Sequence, residues 1–335
     1  MEAFKVANFF SEDILPVSVY QQITEIRVDD PGRSLREALK RNKRDKLTKN
    51  GKLNMLAIDH PARRSNAVGV EPMRMADRRD LLARIMRVLL SKRVDGIMAT
   101  MDILEELFIL DSITKGTSLF QDKLVMTSMN RGGLSGVAWE MDDPMTGPSP
   151  KTCEQWNLDG AKILLRVHDQ DPDSLKTLLA SSKAISEMNV LALPTFLEPL
   201  PVIKKNGKYP VVKDPDVLAN IVGVASALGD SSRYLWLKLP YCEQFEKVAG
   251  ATTLPILLLG GDTTDDKRAL LKILYNGMKA GNNVRGAMIG RNVLYPADQD
   301  PFSVAEAVGG IIHEGWTVEE AYQVQKQQTN NNLKI

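Results

Sequence analysis

Short apolar segments recur along the chain, and each ends in a polar or glycine-bearing loop that leads into a helical pattern. Nearly continuous apolarity is typical of parallel strands that are covered on both faces. Eight such units predict an α/β protein with a closed (β/α)8 TIM barrel, and they favour it over the alternative of an open doubly wound sheet. The predicted strands are 53–59, 95–100, 123–129, 160–168, 189–197, 234–239, 255–260 and 285–290.

Amphipathic helical patterns lie between these strands. Residues 77–92 place leucine, isoleucine and valine on one stripe, with arginines on the opposite face. The segment 264–280 opens with threonine and aspartate residues suited to an N-terminal cap. Extra helices at the C-terminal end are predicted at 301–314 and 317–327.

These elements divide the chain into an N-terminal extension (1–52) that packs on the barrel, the barrel with its terminal helices (53–327) and a tail (328–335). The window 33–52 contains nine Lys and Arg residues against two acidic ones. A patch for nucleic acid or an acidic partner is one interpretation. The favoured interpretation is a solvated basic helix that caps the bottom of the barrel.

The composition and motif content of the chain argue against several classes of function. The chain is 43% hydrophobic and 25% charged, with a net charge of +1, so no overall field recruits nucleic acid or an anionic membrane. It has no apolar run of about 18 residues and no secretory signal pattern at its start. Its cysteines and histidines lack zinc-type spacing, and no nucleotide-binding motif occurs, so we expect no metal and no cofactor. We expect a cytoplasmic protein.

Two predicted strands carry a lysine that apolar surroundings would not tolerate without a partner or a use. Alternation in 234–240 puts the leucines on one face and Lys238 on the other, inside the barrel. In 160–168, Lys162 shares the inward face with Arg166 and His168. A buried lysine beside another cation has a depressed pKa, and its neutral amine can attack a carbonyl to form an imine.

Groups for proton transfer follow the strands as well. The first predicted strand ends at Asp59, the fifth brings Glu198 to the mouth of the barrel, and Tyr241 follows the sixth. Each is of a type that moves protons in imine chemistry. The alternative is a purely structural pair of salt bridges, Lys162 with Glu198 and Lys238 with Asp59.

The last two predicted strands end in glycines. Gly260, Gly261 and Gly290, with Arg291, follow strands seven and eight, where the loops of barrel enzymes commonly hold phosphate. Turns also need glycine, so this signal is not specific. His168 stands at a strand end, and both a pocket-lining and a structural role are open to it.

The chain resembles the class I aldolase superfamily of archaeal-type fructose-bisphosphate, tagatose-bisphosphate and sulfofructose-phosphate aldolases over about residues 53–312. The segments LAIDH, GAKILLRVHDQDPD, PTFLEPLP, WLKLPYCEQFEKVAGATTLPILLLGGD and AGNNVRGAMIGRNVLYP carry the resemblance. It implies catalytic roles for Lys238, as the Schiff-base lysine, and for Lys162, Glu198 and Asp59. Tagatose-type relatives have their lysine at the position of Trp236.

The resemblance also implies a function. We expect reversible aldol cleavage of a phosphorylated ketose or keto-acid by a homo-oligomer, with release of dihydroxyacetone phosphate. The chain also resembles a barrel group associated with inositol degradation, which suggests 5-dehydro-2-deoxygluconate 6-phosphate as one substrate. The alternatives are an imine-dependent transaldol or acyl-transfer enzyme and a non-catalytic regulator that binds a sugar phosphate. Arg166 and His168 stand where these aldolases have aromatic residues.

Overall fold

A computed structural model of the protein describes residues 9–114, 118–261 and 266–326. Eight parallel strands pair in chain order, and the last pairs with the first to close a barrel. The predicted (β/α)8 fold is therefore confirmed. The strands are β1 Leu53–Ile58, β2 Gly96–Ala99, β3 Leu124–Ser128, β4 Gly160–Val167, β5 Thr195–Pro201, β6 Leu235–Leu239, β7 Ile256–Leu259 and β8 Val284–Ile289.

Helices surround the barrel and alternate with its strands. The helices are α1 Ser11–Ile14, α2 Val17–Asp29, α3 Arg33–Lys40, α4 Arg78–Leu89, α5 Met101–Ile113, α6 Pro150–Gln155, α7 Asp173–Val190, α8 Pro215–Ser226, α9 Phe245–Gly250, α10 Ala269–Lys279, α11 Arg291–Leu294, α12 Pro301–Gly309 and α13 Val318–Gln325. Short 3₁₀ turns occur at Pro61–Arg63 and Arg74–Ala76, and a π-helical turn at Gly310–Glu314 follows α12.

Three of the predicted helices lie close to their expected bounds. The pattern at 77–92 forms α4, which begins where the Asp77 carboxylate accepts the Asp80 amide at 3.0 Å. The pattern at 301–314 forms α12 and its π-helical turn, and the one at 317–327 forms α13. Of the capping residues predicted for 264–280, residues 264 and 265 lie outside the described residues, as does the tail 328–335.

The inside of the barrel is layered. Its lower part is a buried apolar cluster contributed by the inward positions of the strands, and its upper part carries charged side chains. The cluster consists of Leu53, Met55, Ala57, Met98, Leu124, Met126, Phe196, Leu257 and Met288. Outward positions pack against the helices in the main hydrophobic core. The period-two alternation of each strand thus separates the helix-facing surface from the axis.

The fifth strand was predicted wrongly at 189–197. Helix α7 runs through Val190, and the strand occupies Thr195–Pro201. A continuous apolar run does not distinguish the end of a buried helix from a strand. The observed strand contains Pro199 and Pro201, which cannot donate a backbone hydrogen bond to a neighbouring strand. Both prolines are tolerated because β5 pairs with β6 only at residues 195–197, so its upper half has a neighbour on one side alone. Glu198 consequently lies within a strand rather than after it.

The basic window 33–52 is helical only in α3, and its remaining residues pass under the amino ends of the strands. Arg41 contacts Asp159 at 2.9 Å, and Arg44 contacts Asp95 at 3.2 Å. Both arginine side chains are buried, in contrast to the expected solvated helix. These carboxylates also accept the backbone amides of the second residues of β1 and β3. The window therefore covers the bottom of the barrel through buried ion pairs.

In the described ranges, no helix has the length and apolarity that crossing a membrane requires.

Candidate active site

A cavity of about 910 Å³ opens at the carboxyl ends of the strands. Its walls come from the ends of β1 and β4–β8 and from the loops that follow β1, β3 and β5. This is the end of a (β/α)8 barrel at which such enzymes carry their active sites. Of the predicted site residues, the cavity is lined by Asp59, Glu198, Lys238, Gly260, Gly261, Gly290 and Arg291.

Two lysines and two carboxylates form one buried cluster at the floor of the cavity. The Lys162 ammonium lies 3.2 Å from Asp59 Oδ2 and also contacts Glu198 Oε2. The Lys238 ammonium lies 3.2 Å from the other oxygen of that glutamate, Oε1. Glu198 therefore bridges both lysines. Of the two salt bridges expected from the sequence, Lys162 with Glu198 is present, but Lys238 pairs with Glu198 instead of Asp59.

The two lysines differ in access to the cavity. The Lys162 side chain is 0% exposed, whereas that of Lys238 is 6% exposed and lines the cavity. Lys162 starts lower in the barrel, level with the buried Phe196 of β5, and is held by two carboxylates. Lys238 contacts the Glu198 carboxylate and faces the open space of the cavity. Of the two amines, that of Lys238 is therefore the one that borders the cavity.

The electrostatics of the cluster follow from burial. Desolvation lowers the pKa of both Lys162 and Lys238, and the Arg131 guanidinium lowers each further, while Glu198 opposes the change. Burial disfavours the charged form of Glu198, but attraction to Lys162 and Lys238 outweighs it and holds the pKa well below its usual range. The carboxylate is thus ionised, and the lysines lie closer to the neutral form than lysines in water.

Arg131 belongs to this cluster and was not predicted from the sequence. It lies in the loop after β3, ion-pairs with Asp59 and lines the cavity. A charged side chain three residues past the last strand residue, Ser128, was the available signal, of the same kind that identified Asp59 after β1. His60, next to Asp59, also lines the cavity, and burial together with Arg291 and Lys238 lowers its pKa to about 3.

The wall on the β4 side holds a second buried ion-pair network. Glu140, from the long loop after β3, accepts Arg166 at 2.8 Å and Arg63 at 2.6 Å on the same oxygen, Oε1. Both arginines also donate to the Gly133 carbonyl, at 3.1 and 2.8 Å. The network ties the loops after β1 and β3 to the end of β4. The sequence indicated Arg166 as an inward residue, but it gave no sign of its partners.

Close packing explains two of the three glycines predicted at the phosphate site, and backbone conformation explains the third. A Cβ on Gly290 would lie 2.2 Å from the Ala57 carbonyl oxygen, and one on Gly260 would lie 2.6 Å from Ile289 Cγ2. Gly261 has a φ of +70°, which favours glycine. Arg291 lines the cavity beside them and donates to the Ala67 carbonyl at 3.4 Å. All four residues face the cavity, as a phosphate site requires.

Two other predicted residues are not among those that line the cavity. Tyr241 is partly buried and packs against the main hydrophobic core, with its ring 5.7 Å from that of Phe245. His168 borders a separate surface groove and stacks edge-on against Tyr209 at 6.0 Å. Tyr241 follows Pro240, where the chain turns outward from β6, and His168 follows the last residue of β4. The structure therefore does not bring either residue to the cavity, and a contact of Tyr241 or His168 with substrate stays a prediction.

Across residues 9–114, 118–261 and 266–326, no group of three or more His, Cys, Asp and Glu side chains is arranged to hold a metal ion.

The fold and the cluster define a (β/α)8 barrel protein with a buried lysine pair at its carboxyl end. Residues 51–310 match the model of the Cgl0159-like family, and the chain belongs to that family. The crystal structure of Cgl0159 from Corynebacterium glutamicum is 35% identical in sequence. It aligns over 90% of this chain and 99% of that one, with a TM-score of 0.84.

Two curated relatives match over shorter stretches. An uncharacterized aldolase of Saccharolobus solfataricus is 32% identical over 143 residues, which are 42% of this chain and 49% of that protein. A 3-hydroxy-5-phosphonooxypentane-2,4-dione thiolase of Salmonella typhimurium is 30% identical over 80 residues, 24% of this chain and 26% of that protein. The alignments thus span half or less of these relatives.

The fold is also that of solved aldolases. An archaeal fructose 1,6-bisphosphate aldolase has a TM-score of 0.59 at 18% identity and covers 84% of this chain and 100% of its own. At this identity the likeness describes the barrel alone.

Proposed function

We propose that the protein is a class I aldolase, in which Lys238 forms an imine with a carbonyl substrate. The observation that supports this most is the asymmetry of the lysine pair. One buried amine lines the cavity with a depressed pKa, and the other is enclosed behind it with the shared carboxylate between them. A structural ion-pair network does not require one member to face an open cavity.

The proposed reaction begins when the neutral Lys238 amine adds to the substrate carbonyl and water leaves, which gives an iminium ion. A base removes the proton from the hydroxyl group on the β carbon, counted from the iminium carbon. The bond between the α and β carbons then breaks, and the β carbon departs as an aldehyde. The electron pair of that bond neutralises the iminium as an enamine. Protonation of the enamine carbon and addition of water then release the second product and restore Lys238.

Glu198 is the proposed proton carrier of this sequence. Lys238 is cationic as an iminium and neutral as an enamine, so the attraction that holds down the pKa of Glu198 weakens when the carbon–carbon bond breaks. The basicity of the carboxylate therefore rises as the carbon–carbon bond breaks, in step with transfer of the hydroxyl proton. Asp59 is held by Lys162 and Arg131 and is proposed to orient the substrate hydroxyls. Tyr241 and His168 have no place in this scheme.

The substrate class is part of the proposal. A phosphorylated ketose or keto-acid fits a cavity whose β7–β8 side carries Gly260, Gly261, Gly290 and Arg291, and dihydroxyacetone phosphate is the expected imine-forming product. The relative named as an aldolase supports the reaction type and not a particular substrate. The resemblance to proteins of inositol degradation makes 5-dehydro-2-deoxygluconate 6-phosphate one substrate to test, and we propose a cytoplasmic homo-oligomer.

Acyl transfer through the same imine is the second proposal, because one stretch of 80 residues matches a thiolase. The two reactions share the imine but differ in the acceptor. Cleavage without coenzyme A supports the aldolase, whereas strict dependence on coenzyme A supports the thiolase.

Reductive trapping tests the imine directly. The protein is treated with borohydride and dihydroxyacetone phosphate, and the modified peptide is identified by mass spectrometry. We expect an adduct on Lys238. An adduct on Lys162, or none with a panel of phosphorylated ketoses and keto-acids, would contradict the proposal. Binding of a sugar phosphate without any adduct or turnover would support the non-catalytic regulator instead.

A further inference from the structure

The β4 side of the cavity carries guanidinium groups that the proposed reaction does not use. Arg166 and Arg63 both line the cavity, and the Arg166 side chain is only 4% exposed. Each donates to the same oxygen of Glu140, whose other oxygen already accepts the Gly136 amide at 2.7 Å. Both oxygens of Glu140 therefore already accept from protein donors.

Arg166 keeps a buried donor that the protein does not use. Its Nε is buried and has no hydrogen-bond partner. Leaving a buried donor unsatisfied has a substantial free-energy cost, about 1–3 kcal/mol and more for charged groups. Burial and repulsion from Arg63 also lower the pKa of Arg166 to about 10, against the attraction of Asp143 and Glu140. An oxyanion that came within hydrogen-bond distance of Nε would satisfy this donor and offset the repulsion from Arg63.

The charges around the cavity are unbalanced. Among the described residues that line it, eight are Lys or Arg and three are Asp or Glu. Asp143 lies behind the wall, does not line the cavity, and offsets part of the excess near Arg63 and Arg166. Three of the cations, Lys205, Lys208 and Lys213, are on the long connection after β5. A cavity with this excess of positive charge concentrates ligands that carry several negative charges.

The topology sets the positions of the groups. In a closed barrel of eight strands, β4 and β8 stand opposite each other, and β6 lies midway between them. Arg291 follows β8, Lys238 is on β6 and Arg166 is near the end of β4. A ligand joined to Lys238 with its phosphate on the β8 side therefore extends its other end toward Arg166.

We propose that Arg166, with Arg63 beside it, forms a second anion subsite, so that the substrate carries a carboxylate or a phosphate at the end opposite to the phosphate near Arg291. The proposal rests on the proposed function for the direction in which the substrate lies. Guanidinium groups bind both oxyanions through parallel hydrogen bonds. The substrate is then a dianionic or more highly charged chain, such as a bisphosphate or a phosphorylated keto-acid, and the aldehyde product retains the second anion.

Probes that cannot form an imine measure binding at this subsite independently of the proposed reaction. Hydroxyhexyl phosphate has one anionic end, ω-phosphohexanoate adds a carboxylate, and hexanediol bisphosphate adds a second phosphate. Calorimetry on the wild-type protein is expected to show about tenfold or tighter binding of at least one doubly anionic probe, as a hydrogen bond to a charged group provides. The preferred probe identifies the anion as carboxylate or phosphate.

The variants test the residues. Arg166→Gln should bring the affinity ratio of doubly to singly anionic probes close to 1 and leave hydroxyhexyl phosphate binding unchanged. Arg291→Ala should weaken all three probes by a similar factor. Arg87→Gln is the matched control, because Arg87 is a buried arginine paired with Asp300 that does not line the cavity, and it should change no affinity. If Arg166→Gln fails to fold, the Glu140→Gln/Arg166→Gln double variant removes both charges together.

Equal wild-type affinities for the three probes would overturn the subsite, as would an unchanged ratio in the folded Arg166 variant. Its failure is distinguishable from failure of the aldolase proposal, since borohydride trapping on Lys238 is scored separately. An adduct on Lys238 without any preference among the probes would support the aldolase proposal and contradict the second anion subsite. A preference that depends on Arg166 without any adduct leaves a binding site for a doubly anionic ligand.

Discussion

The two ends of the barrel use the same kinds of charged side chain in different ways. At the amino end, Arg41 and Arg44 pair with Asp159 and Asp95, and the basic window covers the strands. Backbone carbonyls accept further donors there, including Lys43 on Leu158 at 2.7 Å. At the carboxyl end, the lysine–carboxylate cluster lies under an open cavity. One end is closed by its ion pairs, whereas the other leaves an amine accessible.

The two ends differ in the partners of their buried carboxylates. Asp95 accepts the Asn54 backbone amide and contacts Arg44 and His313, so three protein groups at the closed end hold this carboxylate. Glu198, in contrast, is shared by two lysines, one of which faces the cavity. A shared partner lets the protonation of one lysine respond to chemistry at the other. We infer that the bottom cluster contributes stability and the top cluster contributes reactivity.

The largest expected effect separates the two lysines of the top cluster. Lys238→Met should abolish the borohydride adduct and lower turnover by about 10⁶-fold, a loss typical of removing a nucleophile. Its folded state should remain intact, because a desolvated amine is removed and Glu198 keeps Lys162. Lys162→Met is the matched control and should still form an adduct on Lys238. Peptide mapping and thermal melts measure both, and an adduct that survives Lys238→Met would contradict the assignment.

A smaller effect concerns the shared carboxylate. Glu198→Gln should lower turnover by about 10²–10⁴-fold, the usual contribution of a proton-transfer group. The neutral amine of Lys238 is the reactive form, so kcat/KM rises as pH rises through its pKa. Glu198 favours the ammonium form, and its loss should therefore lower that pKa and move the acidic limb to lower pH.

Asp59→Asn is the control for this shift. Asp59 contacts Lys162 and Arg131 rather than Lys238, so turnover should fall while the limb moves little. Profiles of kcat/KM against pH give both results. A limb that moves to higher pH in Glu198→Gln would contradict the proposed role of this carboxylate.

At the bottom of the barrel, the expected effect is on stability alone. Arg41→Met leaves Asp159 buried without its closest cation and should lower the free energy of unfolding by about 3 kcal/mol. Turnover of the folded protein should stay unchanged. Arg36→Met removes an exposed ion pair with Asp30 and should cost less than about 1 kcal/mol. Urea denaturation measures the loss of stability, and initial rates measure turnover. A large loss of kcat in Arg41→Met would contradict the assignment of this end to stability alone.

Several features could be predicted from the sequence because they depend on local patterns. Strand alternation has a period of two residues, so the apolar segments by themselves placed Lys162 and Lys238 on inward faces. The eight repeated units predicted closure of the barrel. The one misplaced strand, β5, lies where a helix end, a turn and a strand share one apolar run, and local hydrophobicity does not separate these.

The pairing within the site was decided mainly by tertiary structure, because of the two pairs expected from the sequence only Lys162 with Glu198 is present. Asp59, Arg131, Lys162, Glu198 and Lys238 come from five different strands or the loops after them, and closure of the barrel brings them together. Which carboxylate meets which lysine depends on strand register and on the reach of long side chains, neither of which is a local property. For the same reason, Glu140 could be joined to Arg63 and Arg166 only once the fold was known. The sequence by itself determined which residues face the axis, whereas the three-dimensional packing determined which of them touch, because contact between distant segments requires the closed barrel.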